Sequence, residues 1–266
     1  MFDSIAGDYD ALNHILSLDV DKIWRKKALK QIVDAPAPAR VLDLACGTGD
    51  FSIAIAKALS RSHKRVGTPI EAHVKAPAKV PVEAQVTSTG FVTGDSGRSD
   101  LMTKGHVTGV DLSEGMLAVM REKVAKAGLT EMISIEEGDG ENLRFPDNTF
   151  DRVTIAFGIR NFENREKGLR EMLRVLKPGG RLVILELSRP ENKVIRWFYD
   201  LYFLHILPKI GGKVSGDKAA YAYLPASVAA FPGKKAFMAT MREAGLRTVT
   251  HKAFTLGICR MYTGEK

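Results

Sequence analysis

Short apolar runs alternate with stretches of helical period along most of the chain. Continuous or near-continuous apolar runs at 41–45, 106–113, 132–136, 152–157 and 181–187 predict strands, the first of them covered on both faces. Two further strands are expected around Thr248 and Cys259. Between them, helical spacing predicts helices at 21–33, 51–59, 114–126, 166–176 and 233–244. In the first of these, Ile23, Leu29 and Val33, with Trp24 and Ile32 alongside, form an apolar stripe. Strands alternating with helices of this length predict a doubly wound α/β domain with a mostly parallel sheet. Asp50 and Ser113 are placed to cap the helices that follow them, and the Lys177-Pro-Gly-Gly180 turn to end the helix before it.

Three stretches fall outside that alternation. Residues 1–34 precede the first strand and are expected to fold over its tip as a helical cover, with Tyr9, Asn13 and Trp24 serving packing and capping or the site itself. Residues 60–105 keep neither period for long and hold three prolines and clusters of Gly, Ser and Thr, the pattern of an inserted, largely mobile loop. Residues 188–232 include an aromatic-rich run at 194–208, expected to be either ordinary core or the wall of an apolar acceptor pocket, a lid on the acceptor side. The whole is read as one domain of 266 residues.

Composition narrows the classes. A hydrophobic fraction of 45% suffices for a sizeable core, and two cysteines exclude a disulfide framework and fit a reducing, cytoplasmic setting. The net charge of +8 is spread along the chain and not gathered into a stripe. Nucleic acid is therefore not expected as a partner, whereas a transient membrane-surface contact is. The most apolar run contains Arg196, Asp200 and His205, so it is not expected to span a bilayer. The six histidines show no metal-ligand spacing, and no metal is expected.

The chemistry centres on Asp43-Leu-Ala-Cys-Gly-Thr-Gly-Asp50. A strand, a glycine turn and a helix in that order build a nucleotide site at the carboxyl end of the first strand of a doubly wound sheet. Gly47 and Gly49 lack the third glycine of a dinucleotide fingerprint, and the flanking Asp43 and Asp50 would repel a pyrophosphate. Carboxylates in these places suit a ligand bearing an amino group and a sulfonium, which describes S-adenosylmethionine. Asp111 ends the second strand, where a carboxylate accepts hydrogen bonds from ribose hydroxyls. It lies 62 positions past Gly49, but removing the 46 residues of 60–105 leaves 16, near the usual spacing of about 20. Asp139, just past the third strand, could accept from an adenine amino group. Cys46 sits inside the turn and is expected to pack, not to act as a nucleophile.

These residues resemble the UbiE/MenG family, the C-methyltransferases of ubiquinone and menaquinone biosynthesis. The resemblance runs through Met-Phe-Asp-Ser-Ile-Ala at the start, the glycine motif, Phe-Pro-Asp-Asn-Thr-Phe-Asp151, Phe-Gly-Ile-Arg-Asn161, Leu-Lys-Pro-Gly-Gly-Arg181, and Tyr221-x-Tyr-Leu-x-x-Ser227 with Phe231-Pro232. It covers nearly the whole chain outside 60–105, and Ala156 stands where the family often has serine. It implies a seven-stranded sheet of the class I S-adenosylmethionine-dependent methyltransferase type, with cofactor contacts at Thr48, Asp111, Asp139 and Gly140. It also implies a lipid quinol acceptor, demethylmenaquinol or the equivalent precursor of ubiquinone, met at the inner face of the membrane. A homodimer is compatible with all of this and required by none of it.

A quinol carbon becomes nucleophilic as its hydroxyl ionises, from a pKa of about 10 for a phenol. Arg160 remains protonated and carries a fork of donors, so it is assigned to the developing oxyanion, directly or through a water, and Asn161 to the other ring oxygen. The competing role for Arg160 is an ion pair with Glu163 or Glu166. Two further functions remain open: methylation of another small acceptor, and a cofactor-binding scaffold without turnover.

Overall fold

The computed structural model describes residues 20–35, 39–66, 105–202 and 218–266, without the side chains of 62–66 and 218–222. Expectations for the block before Val20, for 67–104 and for 203–217 therefore lie outside the described residues.

Seven strands form one sheet in the order β3-β2-β1-β4-β5-β7-β6, with β1 (Arg40–Leu44), β2 (His106–Asp111), β3 (Ile133–Glu137), β4 (Phe150–Ala156) and β5 (Leu176–Leu187) parallel. β6 (Arg247–Phe254) pairs antiparallel with β7 (Cys259–Glu265), which pairs antiparallel with β5. The order runs outward from β1 to β3 and then returns to β4 on the other side. The switch point, where such sheets open a crevice for ligands, therefore lies between the carboxyl ends of β1 and β4.

Alternate residues of the central strands feed two cores. One face of the sheet buries Val41, Val107, Val183 and Leu185 under α1 (Val20–Val33), α2 (Asp50–Val66) and α3 (Glu114–Lys126), through Trp24, Ile32, Phe51, Ile55 and Met120. The other buries Leu42, Leu44, Val153, Ile155 and Ile184 under α4 (Arg165–Val175) and α7 (Lys234–Glu243), through Leu169, Met172, Phe237 and Met241. The two remaining helices, α5 (Lys193–Leu201) and α6 (Lys218–Ala230), stand at the carboxyl edge and share a small cluster around Tyr199 and Val228. Among the described residues no helix is long and apolar enough to cross a membrane.

Four expectations change. α2 runs to Val66, seven residues into the stretch read as an insertion, because no glycine or proline interrupts it before Gly67. Its cap is Gly49, whose carbonyl accepts from Ile53 N–H at 2.9 Å, so Asp50 is the first helical residue and its carboxylate pairs with Lys123 and Arg25 instead. The Lys-Pro-Gly-Gly turn does not cap α4. The helix stops at Leu176, which already pairs with Phe150, and residues 177–180 bulge out before Arg181 rejoins Arg152. The aromatic stretch is not core on both sides: Val194, Trp197 and Phe198 of α5 are exposed.

Candidate active site at the carboxyl edge of the sheet

Asp43 is on the face covered by α2 and is 1% exposed, with Ser52 Oγ donating to its Oδ2 at 2.6 Å. Burial is the largest influence on it and raises its pKa to about 7; the Ser52 bond and Arg25 pull it down, and Asp111 pushes it up. This carboxyl is therefore poised between neutral and charged near pH 7, a state that an arriving cation would shift towards ionised.

Asp111 closes β2 as expected and is bound to the neighbouring glycine turn. Gly47 N–H donates to its Oδ2 at 2.8 Å and Ser113 N–H to its Oδ1 at 2.9 Å. These two bonds fix the orientation of the carboxylate. The next residue, Leu112, is 68% exposed, an apolar surface beside a carboxylate that the flat base of a nucleoside would cover. Asp139 is exposed two positions past β3 and folds its Oδ1 back onto Glu141 N–H at 2.8 Å.

The other turn residues have structural partners. Thr48 is buried and its hydroxyl accepts from Lys123 Nζ at 3.3 Å. Gly49, at φ +84°, could hold no side chain: a Cβ would lie 2.4 Å from Met120 Cγ. Gly140 packs on the ring of Phe162, where a Cβ would come within 2.5 Å of Cζ. Cys46 Sγ contacts Met120 Sδ at 3.5 Å, and burial pushes its thiol well up, so it is inert packing as expected.

Arg160 and Asn161 occupy a single 3₁₀ turn, Ile159–Asn161, directly after β4 and next to the switch point. Gly158 lets this turn approach the tip of β1, since a Cβ there would meet Ala45 Cβ at 2.4 Å. Gly158→Ala is therefore expected to cost roughly 1–3 kcal/mol by overpacking and to displace Arg160. Urea unfolding would show the first effect and a fall in turnover at unchanged helix content the second.

The partner of Arg160 is neither Glu163 nor Glu166 but Glu186 of β5, which is 0% exposed. Arg160 Nη1 donates to Glu186 Oε1 at 2.9 Å, and the backbone N–H of Arg160 donates to Oε2 at 3.2 Å. Arg160 also donates from Nη1 to the Phe157 carbonyl and from Nε to Ser227 Oγ at 3.3 Å. Asn161 Oδ1 accepts from Tyr223 OH at 2.9 Å, which leaves its amide nitrogen as the end that can donate to an acceptor oxygen. Tyr223 and Ser227 are one turn apart on α6, so the Tyr-Leu-x-x-Ser spacing in the sequence places both on the 3₁₀ turn. Sequence alone assigns no role to Glu186, Tyr223 or Ser227. The signal for Glu186 was a lone acidic residue near the carboxyl end of an otherwise apolar buried strand.

α1, the described part of the segment expected to cover the site, packs beside α2 on one face of the sheet. Trp24 Nε1 donates to Thr255 Oγ1 at 2.9 Å and its ring lies 6.2 Å from Phe157, while Arg25 stacks over Phe157 and pairs with Asp50 at 3.6 Å.

Relatives match this chain end to end. It is 42% identical over 266 residues to the ubiquinone/menaquinone biosynthesis C-methyltransferase UbiE of Geobacter sulfurreducens, spanning all of this chain and 87% of that one. It is 38% identical to the demethylmenaquinone methyltransferase of Bacteroides fragilis, spanning all of this chain and 91% of that protein. A solved SAM-dependent methyltransferase from Aquifex aeolicus shares the fold, with a TM-score of 0.54 at 19% identity over 90% of this chain and 88% of that chain. A family model described as the ubiE/COQ5 methyltransferase family matches residues 1–266, and with the sheet order and the carboxylates at its strand tips the chain belongs to that family.

Proposed function

We propose that this protein methylates a ring carbon of demethylmenaquinol, or of the corresponding benzoquinol in ubiquinone synthesis, using S-adenosylmethionine, and that it does so in the cytoplasm at the inner face of the membrane. The observation that carries the reading is the buried Arg160–Glu186 pair on the strand tip beside the glycine turn.

The residues present fit the donor. Asp111, held by Gly47 and Ser113, suits the ribose hydroxyls, Leu112 a face of the adenine, and Asp139 with Gly140 its amino edge. Asp43, buried and close to its ionisation point, would complement the positive charge near the turn, where Thr48 and Gly49 shape the backbone. Bound S-adenosylmethionine supplies an electrophilic methyl group on a sulfonium leaving group.

What remains for the protein is to place the acceptor in line and to favour its phenolate. The Arg160 guanidinium, fixed on three sides, is preorganised to face charge that develops on the acceptor oxygen. The Asn161 amide, turned by Tyr223, is positioned to donate to the second ring oxygen. Preorganised donors of this kind contribute about 10²–10³-fold each in enzymes where they have been removed singly.

Purified protein supplied with demethylmenaquinol and S-adenosylmethionine should yield menaquinol, read as a mass gain of one methylene, together with S-adenosylhomocysteine. Cofactor binding without methylation of any quinol would overturn the reading in favour of a scaffold. Methylation of a non-quinol acceptor would overturn the substrate alone.

A further inference from the structure

We propose that α5 is a membrane-docking ridge that seats the acceptor side of the protein on an anionic phospholipid surface, an inference that rests on the lipid-quinol reading above. Its nine residues divide cleanly around the helix. Ile195, Tyr199 and Tyr202, the next residue, take the inner side, where Tyr199 is buried in the cluster with Val228 and Tyr202 packs against it. Val194, Trp197, Phe198 and Leu201 recur at the i, i+3, i+4, i+7 spacing of a single stripe. Every one of them is exposed: 66%, 61%, 60% and 38%. They supply four of the seven large hydrophobic side chains exposed among the described residues, so the stripe is a local feature and not general surface.

The chemistry of the stripe matches a lipid interface. Trp197 and Phe198 meet edge to face with centroids 4.9 Å apart, and Trp is the residue enriched where one end of a side chain is apolar and the other wet. Lys193 and Asp200 border the stripe on one side, with Asp200 paired to Arg189, and Arg196 lies further round, its guanidinium donating to the carbonyls of Pro190 and Glu191. With Asp200 already neutralised by Arg189, Lys193 at the edge of the stripe and the chain's net charge of +8 complement an anionic headgroup layer. The adjoining loop adds Leu256, 72% exposed and held at φ +57°. That loop is fastened to the segment leading into α5 by Ser188 Oγ donating to the Gly257 carbonyl at 2.7 Å.

A second copy of the chain is the weaker occupant. A nine-residue helix is about 13 Å long, too short a ridge to supply the ~800 Å² per partner of a standard protein interface. The inner side of the same helix approaches the candidate site, since Tyr199 packs with Val228, the neighbour of the Ser227 that accepts from Arg160. A protein docked on this stripe would thus have its acceptor side next to the layer from which a lipid quinol comes.

The test is co-sedimentation of the full chain with vesicles of phosphatidylcholine and phosphatidylglycerol, followed also by the emission of Trp197. The only other indole, Trp24, is buried, so a blue shift on vesicle addition reports on α5. Wild type should sediment with the vesicles, and Trp197→Glu/Phe198→Glu should lower the bound fraction at least about tenfold. The same variant should keep its turnover of a short-tailed, water-soluble quinol and lose it on vesicle-embedded quinol. Wild type remaining in the supernatant, equal binding by the variant, or a dimer that the variant dissociates would each overturn the proposal. Vesicle binding lost in the variant, in a protein that methylates no quinol, would leave the ridge standing and overturn the assigned reaction instead.

Discussion

Arg160→Ala is expected to destabilise the protein by about 3–5 kcal/mol and to abolish most turnover. Glu186 is wholly enclosed, and its two oxygens are committed to Arg160 Nη1, to the Arg160 backbone and, at 2.8 Å, to Leu187 N–H. Removing the guanidinium leaves a buried carboxylate without its counter-charge, the most costly way to break such a pair. Urea unfolding would measure that loss, and it would by itself lower activity without revealing a chemical role. The double variant Arg160→Met/Glu186→Leu separates the two, since replacing both charges by apolar groups of similar size is often neutral. Stability should return while turnover does not, and S-adenosylmethionine affinity should change little in either variant. Recovery of turnover in the double variant would remove Arg160 from the chemistry and leave it a structural ion pair.

The second large effect concerns Asp43. Its carboxyl holds a proton up to a pH of about 7 in the folded protein and releases it near 3.8 when unfolded. Between those values the folded state binds more protons, so stability falls as pH rises through that window and levels off above it. Three units at 1.36 kcal/mol each make the total cost about 4 kcal/mol. Asp43→Asn keeps an acceptor for Ser52 and removes the charge. It should therefore flatten the pH dependence, leaving the variant more stable than wild type at pH 8 and similar at pH 4, as urea titrations at the two values would show. Cofactor affinity should move the other way. In wild type it should rise about tenfold per pH unit below 7 as the carboxylate forms, with proton release in calorimetry near neutrality. In the variant it should be weak and flat. A variant that binds S-adenosylmethionine as wild type does would take Asp43 out of the donor site.

These two residues also show how differently parts of the site could be read. Asp43 and Arg160 were both visible, one from the carboxylate beside a glycine turn, the other from the segment after the fourth strand. Their states were not. Whether a carboxyl next to Gly47 is charged depends on how much of α2 and the neighbouring strands enclose it, and Ser52, nine positions on, decides only part of that. Whether Arg160 pairs with a glutamate a few positions on or with a distant one depends on the register of β4 with β5, where Ala156 lies opposite Leu185 and brings Glu186 beside the 3₁₀ turn.

From the chain by itself came the order of strands and helices, the glycine turn and the place of Asp111 once 60–105 is set aside, because periodicity, glycine conformations and strand ends are set by residues close in sequence. Tertiary structure alone decided that Glu186 holds Arg160 from 26 positions away, that Ser227 does so from 67, and that the aromatic stripe of α5 faces outward. Those outcomes turn on which surfaces are removed from water, and burial belongs to the assembled sheet and its helices, not to any one stretch of sequence.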